Sequence, residues 1–206
     1  MSELHSVGAR MVAKRKGVLA ADESTGTCTK RFENMGVEST AESRCNYRST
    51  LFTSPGLENY ISGVILYDET FRQKIYGSDY LVPEYLQSKD ILSGIKVDSG
   101  AHPFKEGSEE KNTTGLDGLS KRLGEYYSLG ARFAKWRAVI TIGETIPSDA
   151  CIYSNAHGLA RYASLCQENG LVPIVEPEVL MDGTHTIEDC YEVSQRTLNI
   201  VFEQLI

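Results

Sequence analysis

No stretch of this chain comes near the roughly 18 consecutive apolar residues that a membrane-spanning helix needs. The first residues, MSELHSVGARMVAKRKG, lack the apolar core of a secretory signal. A basic excess is missing too. The net charge is −7 with both signs interspersed, which excludes a broad nucleic-acid-binding face and leaves room only for a local basic pocket. Paired cysteines are absent. Cys28, Cys45, Cys151, Cys166 and Cys190 are odd in number and scattered, so neither a disulfide framework nor a zinc knuckle is expected. They read as reduced thiols of a cytoplasmic protein. His5, His102, His157 and His185 show no ligand spacing, so no metal site is expected. There is no repeat, no low-complexity tract and no linker, and residues 1–206 read as a single domain whose 41% apolar composition suffices for a core.

What is present is a recurring unit. Five short apolar runs, KGVLAAD (16–22), ISGVILYD (61–68), SGIKVD (93–98), ARFAKWR (131–137) and LVPIVEPE (171–178), are each followed by a polar turn and a helical pattern. Such alternation predicts an α/β fold with a parallel sheet. TGLDGLSKRLGEYYSLG carries Leu116, Leu119, Leu123 and Tyr127 at helical spacing. A longer helix is expected after Ser148 as N-cap, closing at Gly170, with Ala150, Tyr153, Ala156, Ala160, Ala163 and Cys166 along its stripe. HPFKEGSEEKNTT (102–114) reads as a polar loop inside the domain. GLDG (115–118) reads as a turn and helix start, since it lacks the lysine and spacing of a phosphate loop.

The strand runs begin apolar and end charged. Asp22 ends the first, Lys96 and Asp98 the third, Lys135 and Arg137 the fourth, Glu176 and Glu178 the fifth. Residues i and i+2 of a strand share a face, so each pair points one way. Ligands of α/β proteins bind beyond the carboxyl ends of the strands. A shared site is therefore expected there, with Asp22, Glu176 and Glu178 as counter-charges of Lys135 and Arg137. Such a mixture binds anions and shifts the protonation of its members. A lysine among cations can act as nucleophile or proton donor, and a carboxylate can shuttle protons. A second signal is DESTGTCTKRF, where Thr27 or Ser24 can cap a helix that places Thr27 and Arg31 on one face. A helix start with a hydroxyl and an arginine can receive a phosphate, or can simply be a capped helix with a solvated arginine.

In order along the chain, LAADESTGT, GVILYDET, GIKVDSG, GLDGL, FAKWRAVI and ARYASLCQENGLVPIVEPEVL resemble class I fructose-bisphosphate aldolase, over residues ~7 to ~206. The resemblance implies a (β/α)8 TIM barrel, of which this chain supplies the first five β/α units. It implies reversible cleavage of fructose bisphosphate through a lysine Schiff base, no metal or other cofactor, a phosphorylated sugar as partner, and a homotetramer in the complete protein. No nucleic acid or membrane partner is expected. Carried over by motif, Asp22 assists proton transfer at the sugar hydroxyl, Lys135 stabilises charge beside the Schiff-base amine, and Glu176 is a general acid/base in imine formation. Lys96, Arg137, Thr27 and Arg31 hold a substrate phosphate, and Glu178 holds Arg137 or Glu176 in place. Ser99 stands where many members have lysine, which weakens any claim about charge there.

The resemblance also implies that the imine-forming lysine, in a Leu-Leu-Lys-Pro-Asn-like strand, follows the last residue given. EDCYEVSQRTLNIVFEQLI reads as a helix ending on apolar residues without a glycine cap. Five strands cannot close a barrel that typically needs about 250 residues. The expectation is the N-terminal portion of an aldolase, inactive alone and not folding autonomously. The alternative is a catalytically dead phosphate-binding or subunit-interaction module. Another Schiff-base barrel lyase fits the motifs less well, and a zinc aldolase lacks ligands.

Overall fold

A computed structural model describes residues 2–206. Its elements run α1 (Glu3–Met11), β1 (Gly17–Ala21), α2 (Thr25–Glu33), α3 (Ala41–Phe52), β2 (Ile61–Leu66), α4 (Asp68–Phe71), α5 (Val82–Ser88), β3 (Leu92–Lys96), β4 (Ala101–Pro103), β5 (Lys111–Thr113), α6 (Leu119–Ser128), β6 (Ala131–Ile140), α7 (Asp149–Glu168), β7 (Val172–Val179) and α8 (Ile187–Leu205). The main sheet has strand order β1-β2-β3-β6-β7, and β4 and β5 form a separate ribbon. By internal contact the chain divides into two compact units. One is Met1–Lys96 with Gly124–Ala134 and Gly170–Val172. The other is Val97–Leu123 with Lys135–Asn169 and Pro173–Ile206.

In the first unit β1 pairs with β2 and β2 with β3, both parallel, with Ala21 opposite Leu66 and Leu66 opposite Ile95. Parallel strands covered on both faces must be apolar almost throughout, and β2 is buried at every residue after Ile61. Glycine is required at two points in this layer. The ring of Phe133 lies against β2 and β3, and a Cβ on Gly63 or Gly94 would come within 2.9 or 2.1 Å of it. Phe133 is fully buried there and fills the face that Lys135 and Arg137 share further along the same strand.

In the second unit α7 begins at Ser148, whose hydroxyl accepts from Cys151 N–H, and Gly170 follows the helix in the left-handed region at φ 76°. The buried stripe of α7 is Ile152, Asn155, Ala156, Leu159, Tyr162, Ala163 and Cys166. The expected stripe was partly misplaced, because Ala150 and Tyr153 are exposed and Ala160 is only half-buried. Ile152, Leu159 and Tyr162 take inward positions, where burying their apolar surface gains most. Tyr162 stacks near Trp136 at 5.5 Å between ring centroids and donates to the carbonyl of Ile174. So the face of β6 opposite Lys135 and Arg137 is the one that packs on a helix.

Two expectations need correction. The segment 102–114 is not plain loop, because Ala101–Pro103 and Lys111–Thr113 pair antiparallel. Asn155, buried on α7, holds this ribbon by donating to the carbonyl of Lys111 (2.8 Å) and accepting from Thr113 N–H (3.2 Å). Nor do Lys135 and Arg137 end their strand. The apolar run Ala138–Ile140 carries β6 three residues further. All five cysteines are free, and Cys28, Cys151 and Cys166 are buried. No helix among the described residues is long and apolar enough to cross a membrane.

Gly94→Ala tests the close approach of Phe133. Overpacking a filled core costs about 3 kcal/mol, and chemical denaturation should show a loss of that order. Adding Phe133→Leu should recover part of it. A Gly94→Ala protein as stable as wild type would contradict this packing.

Candidate active site

In the first unit, Asp22 and Glu23 directly follow β1, and Ser24 caps α2 by accepting from Thr27 N–H (3.3 Å). Of the two capping candidates it is Ser24 that caps, and its hydroxyl also lies 3.1 Å from that of Thr27. Thr27 and Arg31 share a helix face as expected. The Arg31 guanidinium is ion-paired to Glu23 and more than half exposed. Lys96 is the last residue of β3 and half-buried. Of the eight candidate residues, this unit holds Asp22, Thr27, Arg31 and Lys96.

A buried ion cluster behind Glu23 was not foreseen. Arg48 on α3 is 1% exposed and donates to the backbone carbonyl of Glu23. Its guanidinium lies 3.9 Å from the Glu23 carboxylate, 3.7 Å from that of Glu69 and 5.9 Å from the centre of the Tyr67 ring. One turn earlier, Arg44 grips both oxygens of Glu69 at 2.8 and 2.6 Å. The two arginines thus anchor the segment after β1 to the segment after β2. Burial pushes the Cys28 thiol up, although Arg48 beside it acts the other way. Hydrogen bonds from Arg44 hold the Glu69 carboxyl below its ordinary value, against the opposing effect of burial. The only sequence signal for the two arginines was their spacing. Arg44 and Arg48 stand four apart, hence on one face of their helix, and both are buried.

In the second unit the charges of β6 and β7 meet in register. Lys135 Nζ lies 3.3 Å from a carboxylate oxygen of Glu176, with 12% and 31% of the side chains exposed. Two residues on, Arg137 Nε is bonded to Glu178. Glu178 is the carboxylate in contact with the Arg137 guanidinium. Asp98 accepts from Arg137 N–H (3.4 Å) and from Gly100 N–H (3.1 Å), which fixes the turn after β3. Arg122 on α6 ties the same region. It donates to the carbonyls of Val97 (3.0 Å) and Gly115 (2.6 Å). Gly115 is needed there at φ 123°, since a Cβ would sit 2.8 Å from Ser99 N. Arg122 had no sequence signal beyond its place on an amphipathic helix.

The chemistry open to these residues follows from their types. An amine and a carboxylate at 3.3 Å can exchange a proton through one hydrogen bond. A guanidinium braced by one carboxylate keeps further N–H donors for an oxyanion.

The buried cluster and the exposed pair should respond differently to mutation. Arg48→Met leaves two partly buried carboxylates short of a cation and should cost about 3 kcal/mol by chemical denaturation. Arg31→Met breaks a mostly exposed pair and should cost under about 1 kcal/mol. The Glu69 pair contributes stability that is present above the ordinary glutamate range and lost as pH falls through the depressed folded value. Glu69→Gln should therefore be less stable than wild type at pH 7, and the gap should close as pH drops below about 4. A gap independent of pH would contradict an ionised Glu69.

The family model described as fructose-bisphosphate aldolase class-I matches residues 3–206. A probable fructose-bisphosphate aldolase class 1 from Xanthomonas campestris is 56% identical over 207 residues, covering 100% of this chain and 61% of the relative. Fructose-bisphosphate aldolase 4, cytosolic, from Arabidopsis thaliana is 53% identical over 190 residues, covering 92% of this chain and 48% of the relative. A crystal structure of fructose-bisphosphate aldolase from Plasmodium falciparum, in complex with TRAP and a small-molecule inhibitor, superposes with a TM-score of 0.95 at 50% identity. It covers 98% of this chain and 59% of that one. The chain thus spans about half to three fifths of the length of these relatives, and its fold is that of the first five β/α units of a (β/α)8 barrel. It belongs to the class I fructose-bisphosphate aldolase family.

Proposed function

We propose that this chain serves the reversible cleavage of fructose bisphosphate to dihydroxyacetone phosphate and glyceraldehyde phosphate, through a lysine Schiff base, in glycolysis and gluconeogenesis. The observation that supports this most is the pair Lys135–Glu176 beside Arg137–Glu178. Glu176 is the general acid/base that moves protons as the imine forms and hydrolyses. Lys135 stabilises charge beside the imine nitrogen and disfavours protonation of the attacking amine, because like charges repel. Asp22 takes the proton of the sugar hydroxyl as the carbon–carbon bond breaks. The bonding electrons then pass into the iminium and leave an enamine. Lys96, Arg137, Thr27 and Arg31 bind substrate phosphate, and Glu178 orients Arg137.

The imine itself serves as the electron sink, so the proposal includes no metal. The family resemblance puts the imine-forming lysine in a strand that follows position 206, and the proposal takes it from there. Residues 1–206 alone then lack the nucleophile and do not turn the sugar over. A homotetramer and a cytoplasmic location belong to the same reading. The cytosolic relative from Arabidopsis thaliana supports the location.

Borohydride reduction in the presence of dihydroxyacetone phosphate tests the proposal. The full chain, as its own cell makes it, should carry one reduced adduct by intact mass. Peptide mapping should place it on a lysine other than Lys135 or Lys96. An adduct on Lys135 would overturn the roles assigned here. No adduct at all would overturn the enzymatic reading and favour a phosphate-binding or subunit-interaction module.

A further inference from the structure

A cavity of about 280 Å³ opens at the amino end of β3, within the first unit. It is lined by Arg10, Gln87, Asp90, Ser93 and Arg132, with Gly130 at its wall. Ser93 and Arg132 precede Lys96 and Lys135 on their strands by three residues each. They lie toward the amino ends of β3 and β6, ahead of the charges assigned to catalysis, and three positions along a strand also reverses the face. The proposed reaction leaves this cavity without a role.

Its electrostatics are unbalanced. Arg132 is held by two bonds from a single nitrogen, Nη1, to the carbonyls of Tyr127 (3.2 Å) and Ala131 (2.7 Å). The guanidinium stacks 4.6 Å from the centre of the Tyr127 ring. Tyr127 is itself fixed, since its hydroxyl bonds Glu3 and its edge packs under Gly170. No carboxylate among the described residues lies within ion-pair distance of Arg132, so a preorganised cation stands without a counter-charge. Arg10 does have one, Asp90 at 2.7 Å, but that carboxylate is 84% exposed and screened by water. The lining therefore carries two cations and one anion. The hydroxyl of Ser93 is buried and has no hydrogen-bond partner. A buried hydroxyl left unpaired costs free energy, which a ligand oxygen can recover.

We propose that this cavity is a binding site for a small oxyanion, inorganic phosphate or a phosphomonoester, held by Arg132 and Ser93 with Arg10 at the rim. A guanidinium locked through one nitrogen keeps its remaining N–H donors for the tetrahedral oxygens of such a group. The volume accommodates one phosphate with a short carbon chain. The site is independent of the aldolase reading, since none of its residues has a role in it.

The experiment is a calorimetric titration of the full chain with inorganic phosphate, and separately with glycerol phosphate. It uses a Lys96→Met/Arg137→Met background, so that the proposed substrate positions do not contribute. That background should still bind phosphate. Adding Arg132→Gln should weaken binding at least about tenfold, in line with loss of a charge-assisted contact. Adding Ser93→Ala, a change too small to disturb the fold, should weaken it about threefold. Tighter binding of glycerol phosphate would identify the phosphomonoester as ligand, and equal binding would identify free phosphate. No phosphate binding in the double-substituted background, or binding unchanged by both Arg132→Gln and Ser93→Ala, would overturn the proposal.

Discussion

Two cations stand on one face of β6 because β7 offers two carboxylates in step with them. Lys135 meets Glu176, and Arg137 meets Glu178. An i, i+2 pair of cations in an otherwise apolar strand would be costly by itself, since each charge loses hydration as it enters the fold. The matching i, i+2 pair on the next strand offsets that cost and sets the geometry of both. The opposite face of β6 is committed to Trp136, which packs with Tyr162 of α7. A slip of one residue in register would turn Trp136 toward the carboxylates and the cations toward the helix. Packing on one face therefore enforces charge pairing on the other.

The same strand organises the first unit through Phe133. Its ring takes the space that side chains at Gly63 and Gly94 would fill. Where the second unit pairs its charges near the surface, the first sinks them. Arg48 is nearly inaccessible and reaches Glu23, Glu69 and Cys28. Such a cluster adds little net stability over a well-packed apolar one, but it is strict about geometry because every partner must be in place. It holds the backbone next to Asp22, so rigidity is supplied where proton transfer is proposed.

Much of this was legible in the sequence. All five apolar runs are strands, and the charged pairs Lys135/Arg137 and Glu176/Glu178 lie at i, i+2 within theirs, whereas β3 ends at Lys96 and leaves Asp98 in the turn beyond it. Ser148, Gly170 and the start of α6 near GLDG were readable from capping and turn chemistry. The failures have physical causes. Alanine is small, so a stripe drawn through Ala150 and Ala160 missed the inward Ile152, Leu159 and Tyr162. The β4–β5 ribbon was hidden because its strands have three residues each, too few to show a period. Arg44 and Arg48 went unremarked, since nothing local to α3 announces that Glu23 and Glu69 arrive from other segments.

The central claim is that neighbouring charge pairs divide the work, Lys135 with Glu176 for proton and charge handling, Arg137 with Glu178 for phosphate. Steady-state kinetics of Lys135→Met and Arg137→Met in the full chain test it most directly. The account predicts that Lys135→Met lowers kcat by about a hundredfold or more with KM little changed, as expected for loss of a group acting in the transition state. It predicts that Arg137→Met mainly raises KM for the bisphosphate. Equal effects of the two substitutions on kcat and KM would contradict it.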